Sequence, residues 1–232
     1  MYNRDYLEQS HNHTAQDSSR VQLMSFLKAT YQLFAGSLLA ATAGAYIGLD
    51  IVSIIAGPVM WILFAVELAL IFFVIPRVKH TPGVNLAVLF AFTFITGLTI
   101  APLLTAIFAM PSGASIVGQA FLMTAVAFGG ISMFAMTTKR DFSSMGKFLF
   151  IALIIMIVAG ISNIFIQSSM MQLIIASGGA LLFSAFILYD TQNIIRGGYD
   201  SPVEAALSLY LDFFNLFVSL LQILGIMNNN NE

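Results

Sequence analysis

From residue 29 onward the chain is a succession of long apolar runs, broken at intervals by short polar or turn-forming stretches. A helix needs roughly 20 mostly apolar residues to cross ~30 Å of hydrocarbon. On that measure seven spans are expected, at about 29–48, 51–75, 84–107, 114–137, 148–167, 170–195 and 204–225. The breaks fall at turn chemistry and charge, for example Pro76 to Gly83, Pro111-Ser112-Gly113 and Gly197 to Pro202. Residues 1–28 are polar and read as a mobile tail, without the basic start, apolar run and cleavage site of a signal peptide. Residues 226–232 read as a short polar C-terminal tail. The predicted fold class is therefore an all-α integral membrane protein, with one seven-helix domain over residues 29–225.

Composition agrees. Of the 232 residues, 59% are hydrophobic and 9% charged, against about a quarter charged in a soluble domain. Nine Lys and Arg against eleven Asp and Glu leave no basic excess to attract nucleic acid. The absence of cysteine excludes disulfides, thiolate metal sites and Cys nucleophiles.

The basic residues set an orientation. Arg4, Arg20 and Lys28 precede the first span, and Arg77 and Lys79 follow the second. Lys139, Arg140 and Lys147 lie between the fourth and fifth, and Arg196 lies between the sixth and seventh. With seven crossings all of them fall on one side, which predicts a cytosolic N-terminus and a C-terminus across the membrane.

Three acids lie deep within the spans: Glu67, Asp190 and Asp212. A helical rise of 1.5 Å per residue puts them ~14, ~8 and ~12 Å from the cytosolic ends of their helices, in one layer. Asp190 and Asp212 are equidistant from Ser201, the middle of the connecting turn, so an antiparallel hairpin brings them level. An acid at that depth is costly unless it faces protein or water. Level carboxylates in low dielectric cannot all be ionised, so the pair is expected to share a proton and titrate as a unit. Such a layer suits a proton sensor or a weak, transient calcium site on Asp190 and Asp212. Calcium normally takes six to eight oxygens, which argues against a tight buffer. The bland reading is that the acids are neutral and only pin helices together. Arg77 and Arg196 are candidate latches that could bend back from the interface, or ordinary positive-inside anchors.

The last span carries Glu204, Ser208, Asp212, Asn215, Ser219 and Gln222 at spacings of three and four, one polar face of a helix. That face lines a path or is enclosed by other helices, which favours a central position for this helix. Asn163, Gln167, Thr96 and Thr99 could face it, or make routine interhelical hydrogen bonds. Gly36, Ala40, Gly44 and Gly48 form a close-packing face on the first span. The phenylalanines and methionines read as filler.

Residue types exclude several seven-span chemistries. No lysine lies inside a span to carry retinal, and His11, His13 and His80 lie outside them, which excludes a buried histidine base and haem or zinc ligation. Tyr189-Asp190 resembles the Tyr-Asp element of presenilin-type aspartyl proteases. The second acid, in Leu209-Tyr210-Leu211-Asp212, lacks the flexible Gly-x-Gly-Asp of that family, and its Pro-Ala-Leu element is missing.

The segment Ala206-Leu207-Ser208-Leu209-Tyr210-Leu211-Asp212-Phe213-Phe214-Asn215-Leu216-Phe217 closely resembles the signature of the Bax inhibitor-1 family. Leu188-Tyr189-Asp190-Thr191-Gln192 is similar to that family's paired acidic element, and the likeness extends over roughly residues 22–227, including Glu67. The resemblance implies two groups of three helices around a central C-terminal helix, and a pH-sensitive, chiefly calcium leak. It implies that Asp190 and Asp212 are the proton-sensing pair, latched by a base from the end of the second helix, where Arg77 is the nearest match. The Asn228–Asn231 ending, in place of a lysine-rich tail, resembles prokaryotic members and implies an inner-membrane location. No cofactor is expected beyond calcium and protons as sensed or transported ions, and no enzymatic activity. The expected partners are the lipid bilayer and calcium, with a protein partner open. The competing reading is a non-transporting regulator that binds another membrane protein, and a weaker one is an intramembrane protease.

Overall fold

A computed structural model describes residues 3–229, with side chains from Arg20 onward. Helix α1 runs Asn3–Asp50, a short α2 covers Val52–Ile55, and α3 covers Pro58–Ala69. A π-helical turn, Leu70–Val74, joins α3 to α4, Ile75–Val78. Then follow α5 Val84–Phe108, α6 Gly113–Thr137, α7 Gly146–Ile166, α8 Ser169–Ile195 and α9 Pro202–Asn229. Seven helical segments are long and apolar enough to cross a membrane: Arg20–Asp50, Pro58–Val78, Val84–Phe108, Gly113–Thr137, Ser143–Ile166, Ser169–Ile195 and Pro202–Asn229. No strand occurs among the described residues. A helix satisfies its own backbone polar groups, which hydrocarbon cannot do.

The boundaries differ from expectation at three places. The polar segment expected as a tail is helical from Asn3, and α9 carries on to Asn229, into the segment expected as the C-terminal tail. The second span starts at Pro58, because Gly57 (φ 105°) breaks the chain and proline suits the first turn of a helix. It also passes through Pro76. The preceding π turn loosens the ladder where proline lacks an N–H and would clash with the carbonyl four residues back.

Helices α1, α3–α4 and α5 form one group, and α6, α7 and α8 the other. Helix α9 packs against α1, α5, α6 and α8, and carries the longest run of buried residues, from Val203 to Gly225. An aromatic knot fixes it: Phe34 of α1 stacks on Phe128 of α6 at 4.9 Å between centroids, and Phe213 of α9 meets both edge-on. The small-residue face of α1 lies against α5. At Gly44 any Cβ would strike the Phe94 carbonyl, and at Gly97 of α5 it would strike the Ala41 backbone. The α3–α4 span and α7 are peripheral and turn large apolar side chains outward, among them Trp61, Phe72, Phe148 and Phe165.

The ends of α3–α4, α6 and α8 and the starts of α7 and α9 meet at one end of the bundle, here termed the basic end. Lys79 pairs with Asp200 at 3.0 Å and with Glu204 at 3.6 Å, and Arg196 pairs with Asp141. Gln192 of α8 accepts from the Phe142 N–H and donates to the Arg140 carbonyl, tying the α6–α7 loop to the same end.

Candidate functional site

The α8–α9 hairpin brings Asp190 and Asp212 together beneath its own turn. Both are buried, and their carboxyl groups interact directly. Tyr199 reaches down from the turn; its hydroxyl lies 2.8 Å from Asp190 Oδ1 and 2.9 Å from Ser208 Oγ of α9. Asn193, one helical turn beyond Asp190, adds a further polar contact. Asp212 Oδ2 is fully buried without a hydrogen-bond partner. Gly197 (φ 72°) lets the chain leave α8 abruptly enough to place Tyr199 over the acids. Burial, and then the neighbouring Asp190 carboxylate, push the Tyr199 phenol above its ordinary range, so it stays a proton donor at physiological pH.

Glu67 is placed elsewhere. It accepts a 2.9 Å hydrogen bond from Thr99 of α5, whose hydroxyl also lies 3.0 Å from the Thr96 carbonyl. Thr96 in turn bonds the Tyr210 hydroxyl of α9. Tyr210 and Asp212 are two residues apart on one helix and so point to different flanks. The Asp190–Asp212 pair and the single acid Glu67 therefore lie on different flanks of α9.

Neither candidate arginine touches the acid pair. Arg77 hydrogen-bonds the Phe73 carbonyl of its own helix and lies 6.0 Å from the Phe73 ring centroid, while Arg196 pairs with Asp141. The base that reaches the hairpin from the second span is Lys79. Hydrogen bonding to Asp200, then the Glu204 carboxylate, raise the Lys79 pKa, and the ammonium lowers that of Asp200. Asp141 is held down at about 2, first by the hydrogen bonds from Ser143 and then by Arg196.

The polar face of α9 continues away from the pair. Asn215 donates to its own helix at the Leu211 carbonyl. Ser219 is buried against α8, where only a glycine, Gly179, leaves room for its hydroxyl. Gln222 accepts from Gln172 of α8, which accepts from Asn163 of α7. Gln167 ends α7 in a left-handed conformation (φ 54°) and lines a cavity of about 410 Å³ beside this amide chain. Of the four residues that could face α9 or make routine interhelical hydrogen bonds, Thr96 touches α9, Asn163 reaches it through Gln172, and Thr99 is turned to Glu67.

No group of three or more His, Asp or Glu side chains gathers among the described residues. The hairpin pair offers two carboxyls and the hydroxyls of Tyr199 and Ser208, fewer than the six to eight oxygens that calcium normally takes.

Seven long apolar helices and a buried acid pair on the terminal hairpin define an integral membrane protein with ionisable groups inside its bundle. Over residues 23–229 the chain matches the family model "Inhibitor of apoptosis-promoting Bax1", and it belongs to that family. It is 51% identical over 232 residues to an uncharacterized protein of Campylobacter jejuni, covering 99% of each chain. An uncharacterized Helicobacter pylori protein is 47% identical over 224 residues, 96% of each. Mouse protein lifeguard 4 is 35% identical over 210 residues, 88% of this chain and 86% of that one.

Proposed function

We propose that the protein is a pH-sensitive, calcium-permeable leak whose gate is the Asp190–Asp212 pair, with the basic end facing the cytosol. The observation that carries this reading is the buried, mutually facing acid pair, with one oxygen of Asp212 left without a partner. A bilayer protein that only needed to join two helices would do so with neutral residues at lower cost. With one proton shared, the carboxyls hold each other and the hairpin is closed. With both ionised, like charge at close range in low dielectric drives them apart. Once the pair separates, the path would run from Tyr199 past the pair and along Ser219 and Gln222 to the amide cluster at the far end. Lys79, bound to Asp200 and Glu204, holds the turn above the pair.

The test is calcium flux into liposomes containing the purified protein, measured across pH. Flux should rise as pH rises through the titration of the pair. Asp190→Asn and Asp212→Asn should each abolish or displace that dependence. Flux and pH response equal to wild type in both variants would overturn the gate. Absence of flux altogether would leave the non-transporting regulator as the better reading.

A further inference from the structure

A cavity of about 530 Å³ opens beside α9 on the flank away from the acid pair, in the half of the bundle opposite the basic end. Its side walls are α1 and α6, its back is Gly97, Ile100 and Leu104 of α5, and its floor is Phe213, Phe214 and Phe217 of α9. The two wall helices meet at the Phe34–Phe128 stack and separate below it, which closes the slot toward the basic end and leaves its side open. The slot is continuous with the bilayer-facing surface through Tyr46, Phe108 and Phe121, all exposed.

Two of the three polar side chains at the slot are already engaged, and the third, Tyr46, lies at its exposed mouth. Thr42 donates to the Leu38 carbonyl of its own helix, and the Tyr210 hydroxyl is bonded to Thr96. Water needs two to four polar partners to occupy a cavity, and these walls offer almost none. An empty slot would forfeit dispersion contacts along every wall. Hydrocarbon tails are as apolar as the walls and enter without desolvation. The length narrows the occupant further. On α1 the lining runs from Leu38 to Leu49, ~16 Å of helix, or about half of a ~30 Å hydrocarbon core. A partner's transmembrane helix would need a groove through the whole core, and the aromatic stack blocks one. A single acyl chain from one leaflet fits.

We infer that this slot is a lipid site: one acyl chain of a phospholipid in the leaflet opposite the basic end lies between α1 and α6, against the phenylalanine floor of α9. The site is separate from the acid pair, so it stands whether or not the protein conducts calcium. The chain completes the packing of the central helix where protein does not.

The experiment uses the full chain in phosphatidylcholine vesicles doped with a phosphatidylcholine bearing a diazirine within one acyl chain. After irradiation and digestion, adducts are located by mass spectrometry. Adducts are expected on the floor residues Phe213, Phe214 or Phe217, well above those on the fully buried Leu209 and Leu221. A Cβ at Gly118, a lining residue of α6, would meet nothing within 4 Å, so Gly118→Phe can fill the slot without disturbing the backbone. It should cut the floor adducts several-fold while leaving those on Phe165, 82% exposed on α7, unchanged. Val117→Phe carries the same expectation should Gly118→Phe not fold. Floor adducts no higher than at Leu209 and Leu221, or undiminished in a folded filling variant, would overturn the site.

Discussion

The Tyr199 hydroxyl bridges Asp190 and Ser208, at 2.8 and 2.9 Å, so a residue of the hairpin turn is bonded to both helices that the turn connects. A phenol has one proton to donate and can also accept. It donates to the Asp190 carboxyl and accepts from Ser208, which closes the basic-end approach to the acid pair. Tyr199→Phe keeps the ring and removes the bridge. The loss leaves Asp190 with a buried, unsatisfied acceptor, at a cost of about 1–3 kcal/mol. The expected result is a lower Tm in detergent together with raised basal calcium flux. A variant as stable and as closed as wild type would show that the bridge is incidental.

Asp212 presents the opposite case, because its Oδ2 is buried without a partner already. Asparagine is nearly the same shape and supplies donors that the neighbouring Asp190 can accept. Asp212→Asn should therefore leave stability unchanged or raise it by about 1 kcal/mol, the net value of a hydrogen bond gained. Asp190→Ala should lower it, since the Tyr199 hydroxyl loses its acceptor. Thermal melts of the two variants side by side decide this. A stable Asp212→Asn protein with altered flux would mark Asp212 as an acid retained for function against stability.

Asp141, Asp200 and Lys79 at the basic end titrate outside the physiological range. Asp141 and Asp200 have lowered folded pKa values, so their contribution is present above the unfolded value of about 3.9 and is lost as pH falls through the lower folded value. The Lys79 value is raised, so its contribution is complete below about 10.4 and is lost as pH climbs through the folded value. Between about pH 5 and 8 Asp141, Asp200 and Lys79 all keep their charges. Lys79→Met and Asp141→Asn should consequently alter the amount of flux without moving the midpoint of its pH response. A displaced midpoint in either variant would place the sensor at the surface rather than at the buried pair.

The level placement of Asp190 and Asp212 was readable in the sequence because a hairpin is symmetric about its turn, and residues equidistant from Ser201 must face each other. The central helix was readable from the polar face of Glu204, Ser208, Asp212, Asn215, Ser219 and Gln222. The bridging role of Tyr199 was not, since it depends on a left-handed residue at Gly197 that folds a loop tyrosine inward. The available signal was an aromatic with a polar tip set between two glycines and an acid. The choice of base was also hidden. Pro76 reads as a helix end, but the π turn before it carries the helix on to Val78. That leaves Lys79, just past the helix end, to reach the hairpin, and Arg77 on its own helix. Depth along the membrane normal follows from residue counting, but position around an axis does not. Counting therefore assigns Glu67 a depth near that of the pair but does not say that it lies on another flank of α9.

The separation of Glu67 from the pair has a consequence for the pH response. Glu67 is bonded to Thr99, and the link to α9 runs through Thr96 and Tyr210 rather than through Asp212. Glu67→Gln preserves an acceptor for Thr99 and should leave the midpoint of the pH response where it is in wild type. Tyr210→Phe should cost about 1–2 kcal/mol through the lost buried hydrogen bond, again without moving the midpoint. Liposome flux against pH, measured on both variants, tests this directly. A midpoint shift in Glu67→Gln would join Glu67 and the pair into one titrating unit.

The contact of α1 with α5 supplies the sharpest stability contrast. Gly44 and Gly97 face each other's helices so closely that a Cβ on either would overlap backbone atoms, which cannot rotate away as a side chain can. Helices in a bilayer associate by such close packing, because lipid removes the hydrophobic drive between them. Gly129 and Gly130 of α6, by contrast, meet nothing within 4 Å at the Cβ position. Gly97→Val should force α1 off α5 and exceed the usual overpacking cost of about 1–3 kcal/mol, abolishing the monodisperse folded protein in size-exclusion chromatography. Gly129→Ala and Gly130→Ala should be neutral or stabilising by up to about 1 kcal/mol, since alanine is the better helix former. Equal tolerance at Gly97 and Gly129 would mean that the α1–α5 seam does not hold the first three helices together.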